Sequence, residues 1–142
     1  MAGKKKSKEF NLVFPSQVEY IEKVEGLTEK ACAHAKFSED ERDSMAIAVT
    51  EAVNNAILHG NKKNPVKNVH VSITATTDAV RVVIRDEGDG FNPQKIDNPL
   101  EPQNLLKESG RGVFIVRSLM DEVSFDFCQG GTEITLVKIR KS

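Results

Sequence analysis

Three side chains able to act on a charged ligand recur four residues apart, Glu51, Asn55 and His59, in the stretch Glu51-Ala-Val-Asn-Asn-Ala-Ile-Leu-His59-Gly60. On an α-helix that spacing sets them along one side. Ala46, Val49, Val53, Ala56 and Ile57 then form a separate apolar side for a core. A carboxylate such as Glu51 can orient or deprotonate a hydroxyl or a water as general base. The carboxamide oxygen of Asn55 is a hard ligand suited to Mg2+, which keeps several waters and takes further oxygens from phosphates. By themselves these residues also read as satisfied polar groups at a helix interface. His59, at the end of the stripe, is expected to cap the helix rather than to meet a ligand.

More chemistry lies downstream. In Asp86-Glu-Gly-Asp-Gly90 an acid stands at a strand end, and Gly88 and Gly90 let backbone approach a flat ligand without Cβ contacts. The Asp86 carboxylate can accept from an exocyclic amine such as that of adenine, although a turn needing positive φ would use the same residues. Gly110-Arg-Gly112 stands at an expected helix start, where free N–H groups and the helix dipole attract phosphate. Arg111 is placed to meet a terminal phosphate, and the same sequence serves equally as a loop-to-helix hinge. Gly130-Gly-Thr132 is either a hairpin turn or the carrier of a hydroxyl ligand in Thr132.

These residues need elements to hold them. Alternation predicts a strand from Glu9 to Phe14, ended by Pro15. Ser16 and Glu19 then suit a capping box for a helix whose buried stripe is Val18, Ile21, Val24, Ala31 and Ala35, with Gly26 as a point of bending. Ser38 and Glu41 suit a second box, opening a helix to about His59 with Gly60 as its left-handed stop. Val69, Val71 and Ile73, then Val80, Val82 and Ile84, alternate as a hairpin closed by Thr76 to Ala79. Residues 92–108 show no period and carry Pro93, Pro99 and Pro102, a length that signals a lid, a binding segment or disorder. A short helix, Val113 to Met120, and two strands, Glu122 to Cys128 and Thr132 to Ile139, complete the chain. The pattern predicts an α/β (α+β) two-layer sandwich, a mixed and mostly antiparallel sheet with helices on one face.

Composition narrows the class. The 142 residues suit one domain over 8–142, after a basic, disordered tail at 1–7. With 20 basic and 21 acidic residues there is no basic excess, which argues against direct nucleic-acid binding. No apolar run reaches the roughly 18 residues of a membrane span, and no apolar h-region follows the basic start as in a signal peptide. Cys32 and Cys128 match no metal-ligand spacing and are expected to be buried, reduced thiols of a cytoplasmic protein.

Order and spacing join the motifs. A helix-borne E-x-x-x-N, then D-x-G-x-G, a long segment ending in G-x-G, and G-T resemble the N box and the glycine boxes of the GHKL (Bergerat-fold) ATPases, over about residues 8–140. The details E-A-V-N-N-A-I-x-H-G, R-D-E-G-x-G-F and S-G-R-G-x-x-I-V-R-S-L-M-D-E-V are similar to the bacterial anti-sigma factor serine-protein kinases. The resemblance implies ATP and Mg2+, with Glu51 as general base, Asn55 as magnesium ligand and Asp86 as the adenine-recognising acid. It makes Gly88 and Gly90 the glycines beside that acid, residues 92–110 an ATP lid, Gly110 and Gly112 its phosphate-side hinge with Arg111 between them, and Thr132 the threonine near adenine. Asn54 stands where related proteins often carry Thr. The implied activity is phosphorylation of a STAS-domain anti-anti-sigma protein together with sequestration of a sigma factor or similar partner, in a chain that can form a homodimer through its sheet. A non-catalytic, ATP-dependent binding module is the alternative. A complete histidine kinase is excluded, because no phosphoacceptor His with a dimerisation helix pair is present.

Overall fold

The computed structural model describes residues 7–88, 108–128 and 131–141, leaving aside the side chains of 108–113, 127 and 128. Five strands, β1 (Lys8–Pro15), β2 (Asn68–Ala75), β3 (Ala79–Arg85), β4 (Glu122–Cys128) and β5 (Gly131–Ile139), form one sheet in the order β1-β2-β3-β5-β4. Helices α1 (Ile21–His34), α2 (Glu39–Asn55) and α3 (Glu108–Leu119) complete the α+β architecture that the sequence pattern predicts. The sheet is not mixed: all four described pairings are antiparallel.

Register explains the two layers. Phe10, Ile73, Val82, Leu136 and Val123 lie side by side across all five strands. Ile73, Val82 and Leu136 of this row are fully buried, and Phe10 and Val123 pack against the same core. One residue along, Asn11, Ser72, Val83, Thr135 and Ser124 make a row on the opposite face, as the two-residue strand period requires. The helices cover the first row with Val24, Ala31 and Cys32 of α1, Met45, Ala48, Val49, Ala52 and Val53 of α2, and Val116 of α3. Each fully buried Val, Ile or Leu contributes on the order of 2 kcal/mol of transfer free energy, enough to fix which side of α2 faces the sheet. Ala46 is only half-buried, so Met45, Ala48 and Ala52 displace it from the expected stripe.

The second capping box forms as expected. Ser38 Oγ accepts from the Glu41 N–H at 3.2 Å, and Glu41 Oε1 accepts from the Ser38 N–H at 2.9 Å. Glu41 Oε2 also accepts from the Lys141 N–H at 2.7 Å, which ties the end of the chain to the start of α2. The first box does not form. Ser16 Oγ donates to the Lys67 carbonyl at 2.6 Å, so a long-range partner takes the hydroxyl that would have capped a helix. The chain passes instead through a 3-10 turn, Val18–Tyr20, with Val18 exposed, before α1 begins. Gly26 lies inside α1 without ending it.

Two helix ends depart from expectation. The α-helical part of α2 stops at Asn55 and continues as one π-turn, Ala56–Gly60, closed by the Asn61 N–H on the Ala56 carbonyl at 2.8 Å. Gly60 is therefore no left-handed stop; positive φ falls on Lys62 (53°) and Lys63 (60°). Helix α3 begins at Glu108, so Gly110, Arg111 and Gly112 lie in its first turns rather than before it. The carbonyl of Leu119, its last residue, accepts from Lys138 Nζ at 3.0 Å, a cation at the negative end of a helix. Among the described residues no helix is long and apolar enough to cross a membrane.

Candidate functional site

The end of α2 and its π-turn stand over the ends of β3 and β5, and between them lies a cavity of about 110 Å³. Ala52, Ala56, Ile84, Val116, Phe125 and Ile134 give it apolar walls, and Asn55, His59, Asp86 and Thr132 supply its polar side chains. An engineered apolar cavity of ~150 Å³ takes benzene, so the space has the scale of a flat ring rather than of a whole nucleotide.

Asp86 is the buried acid of the cavity. Its N–H continues the β3 ladder onto the Thr132 carbonyl at 3.0 Å. Its Oδ1 accepts from the backbone N–H groups of Gly88 at 2.9 Å and Thr132 at 3.1 Å. Burial pushes the Asp86 carboxyl above the usual aspartate range, while those two N–H donors pull the other way. Three glycines close around it. A Cβ on Gly60 would overlap Asp86 Oδ2, one on Gly131 would overlap the Asp86 carbonyl oxygen, and one on Gly88 would overlap the Gly60 carbonyl. Thr132 Oγ1 adds a further signal, being buried with no hydrogen-bond partner among the described residues. A buried hydroxyl left in that state costs about 1–3 kcal/mol, and a ligand or bridging water in the cavity removes the cost.

A polar network carries the turn that follows Asp86. Asn61, 1% exposed, donates through Nδ2 to Ser16 Oγ at 2.7 Å and to the Asn68 carbonyl at 2.9 Å. Its Oδ1 accepts from the Glu87 N–H at 2.7 Å. Glu87 in turn accepts from the Asn68 N–H at 2.9 Å and pairs with His70 Nε2 at 2.6 Å. The Asn68 N–H, foremost, and His70 hold the Glu87 carboxyl below its usual range.

The structure thus brings Asn55, Asp86 and Thr132 to one cavity and sets Gly88 in the cradle beneath it. His59, an exposed residue, is also among those that line the cavity, the site contact that the sequence leaves open beside a helix cap. Glu51, half-buried one turn before Asn55, does not contribute to the lining. Gly90 and lid residues 92–107 lie outside the described residues. Gly110, Arg111 and Gly112 are described only as helical backbone, which leaves their expected phosphate role outside the described geometry. Sequence reasoning missed Gly60, Gly131 and Asn61 as site residues. The two glycines had passed for a helix stop and a hairpin turn, and a buried Asn after His-Gly carries no local signature.

Among the described residues no group of three or more His, Cys, Asp or Glu could hold a metal ion. Besides the Asp86 carboxylate, one oxygen of which two backbone N–H groups engage, the Asn55 carboxamide is a hard oxygen donor at the cavity, and it fits a cation that draws most of its ligands from water and phosphate. An apolar slot for a flat ring, with a carboxylate and a hydroxyl within it and a carboxamide at its side, can take a purine base, the rest of its nucleotide lying outside the slot.

Comparison with known proteins identifies the family and the fold. A family described as the histidine kinase-like ATPase domain matches residues 14–138. The serine-protein kinase RsbW of Staphylococcus epidermidis is 31% identical over 134 residues, 89% of this chain and 84% of that protein. RsbW of a Staphylococcus aureus bovine strain has the same identity and coverage. Among solved structures, the RsbU and RsbW domains of Rv1364c from Mycobacterium tuberculosis superpose with a TM-score of 0.64 at 17% identity, over 95% of this chain and 33% of that one. The histidine kinase domain of the Erythrobacter litoralis blue-light-activated kinase EL346 gives 0.57 at 18% identity, over 87% of this chain and 60% of that one. At those identities the two structures speak for the fold alone.

Proposed function

This chain belongs to the histidine kinase-like ATPase domain family and is homologous to the RsbW serine-protein kinases, and we propose that it is a cytoplasmic, ATP-dependent protein-serine kinase of a partner-switching pathway. Its substrate is a STAS-domain anti-anti-sigma protein, and its second partner is a sigma factor or a similar regulator. It acts as a homodimer joined through the sheet. The observation that carries the reading is the meeting of Asn55 from α2 and Asp86 from the end of β3 in one cavity, with the unpartnered Thr132 hydroxyl beside them.

In this reading Asp86 accepts from the exocyclic amine of adenine, and the apolar walls take the two faces of the base. Asn55 holds Mg2+, which neutralises phosphate charge when bound. Glu51 accepts the proton of the substrate serine hydroxyl as its oxygen forms a bond to the γ-phosphorus of ATP and the bond to the departing ADP breaks. Gly90 lets backbone approach the base beside Asp86, residues 92–110 serve as the ATP lid, and Gly110 and Gly112, with Arg111 between them in the first turns of α3, serve the phosphate side.

Glu51 does not line the ring-sized cavity, and in a second reading ATP only orders a partner-binding surface. Incubation with γ-labelled ATP and the cognate STAS protein separates the two. We expect label on one serine, and loss of at least ~100-fold in rate in Glu51→Ala, the order of a general base's contribution. No transfer by the wild-type chain, or undiminished transfer by Glu51→Ala, overturns the kinase assignment. ATP-dependent partner binding without transfer establishes the binding module.

A further inference from the structure

Asn61 follows the glycine that touches Asp86, and its side chain reaches the residue that follows Asp86. Its backbone closes the π-turn onto Ala56, and its carboxamide is fully engaged, with Nδ2 on Ser16 and the Asn68 carbonyl and Oδ1 on the Glu87 N–H. One buried carboxamide therefore fixes the separation between two backbone segments. That separation matters because the segments are in contact on either side of Asp86: Gly60 lies against its Oδ2, and Gly88 lies against the Gly60 carbonyl. Glu87 is anchored from its other end by Asn68 and His70 of β2, so the turn over 86–88 is held between β2 and the π-turn. Without Oδ1 of Asn61 the Glu87 N–H loses its acceptor, and the turn is free to draw away from Gly60.

We propose that Asn61 is a positioning residue for base recognition, whose carboxamide holds the 86–88 turn against Gly60 and so aims the Asp86 carboxylate at the exocyclic amine of the base. The inference rests on the reading of Asp86 given above. Asn61 touches neither base nor phosphate, and its effect is confined to ligands that carry the amine.

The test measures binding of two nucleotides to the full chain by calorimetry in the presence of Mg2+. One is ATP. The other is purine riboside triphosphate, which keeps the phosphates and ring but lacks the amine. In Asn61→Ala the affinity for ATP should fall roughly tenfold, the scale of one well-aimed hydrogen bond, with purine riboside triphosphate changed by less than about twofold. Val24→Ala, at a buried α1 position, serves as the comparator: it lowers thermal stability and should leave the ratio of the two affinities unchanged. Unchanged ATP affinity in Asn61→Ala, or equal loss for both nucleotides, overturns the proposal. Should Asn61→Ala not fold, hydrogen exchange of the wild-type chain without nucleotide decides. A strongly protected Glu87 amide supports the role, and exchange at the rate of an open amide refutes it. Failure of the wild-type chain to bind ATP refutes the base-site reading itself, and wild-type binding without the Asn61 effect refutes this inference alone.

Discussion

Gly60→Ala adds a single methyl group at the point where the π-turn meets the buried acid. An ideal Cβ there would overlap Oδ2 and Cγ of Asp86 and stand 2.9 Å from its Cβ. All three atoms belong to one side chain, whose other oxygen is held by the N–H groups of Gly88 and Thr132 at 2.9 and 3.1 Å. The carboxylate cannot swing aside without lengthening both bonds, and the backbone of Gly60 cannot retreat without opening the π-turn. Overpacking of this kind costs about 1–3 kcal/mol. For 142 residues that lowers the melting midpoint by about 3–10 °C. Displacement of the carboxylate also removes a charge-assisted bond to the base worth about 1.5–3 kcal/mol, so ATP affinity should fall roughly ten- to hundredfold. Gly26→Ala is the matched control, since the same methyl on α1 meets nothing within 4 Å. It should raise stability by about 0.5–1 kcal/mol and leave binding alone. Thermal melts and ATP calorimetry on both variants check the pair. A Gly60→Ala chain that melts with the wild type and binds ATP within about twofold of it would refute the reasoning.

Two further expectations concern pH. The N–H groups of Lys141, foremost, and Ser38 hold the Glu41 carboxyl below the ordinary value of 4.5, so its stabilisation is complete above that pH and is lost as pH falls through the lowered value. Melts between pH 7 and pH 3 should therefore show a shallower acid loss for Glu41→Gln than for the wild type, and parallel curves would contradict this. Burial pushes the Cys32 thiol up to about 12, with Glu29 adding to the effect, so the folded chain resists its ionisation. Stability from this group is complete below the ordinary value of 9.0 and declines as pH rises from 9.0 toward about 12. At pH 8 a thiol reagent should label Cys32 only with denaturant present, as peptide mapping can show; rapid labelling of the native chain would count against it.

How far the sequence carried the structure depended on the range of each interaction. The Ser38–Glu41 box is local, and it formed as read. The Ser16–Glu19 box has the same spelling, but the Lys67 carbonyl and Asn61 claim the Ser16 hydroxyl from far along the chain. Alternation located β1, β2 and β3, because each buries a single face. Strand order and wholly antiparallel pairing were beyond it, since they depend on how segments meet. Residue type and spacing marked Asn55, Asp86, Gly88 and Thr132 in the sequence, and the fold brings all four to the cavity or the cradle beside it. Gly60 was noticed for the wrong reason, as a stop needing positive φ, when its role is to admit a carboxylate from another element. His59, open in the sequence between a helix cap and a site contact, falls in a π-turn and lines the cavity.

That π-turn makes the site sensitive to the number of residues at its edge as well as to their identity. A π-turn amounts to an α-helix with one residue inserted. Removing Leu58 would return the segment to α pitch and rotate everything after it by about 100°. Gly60 would leave Asp86, and Asn61 would leave Glu87, with every side chain at the site still present in the sequence. Two chains could thus share all the motif letters and differ in whether they form a base pocket, and a gap placed here in an alignment would be the mark to look for.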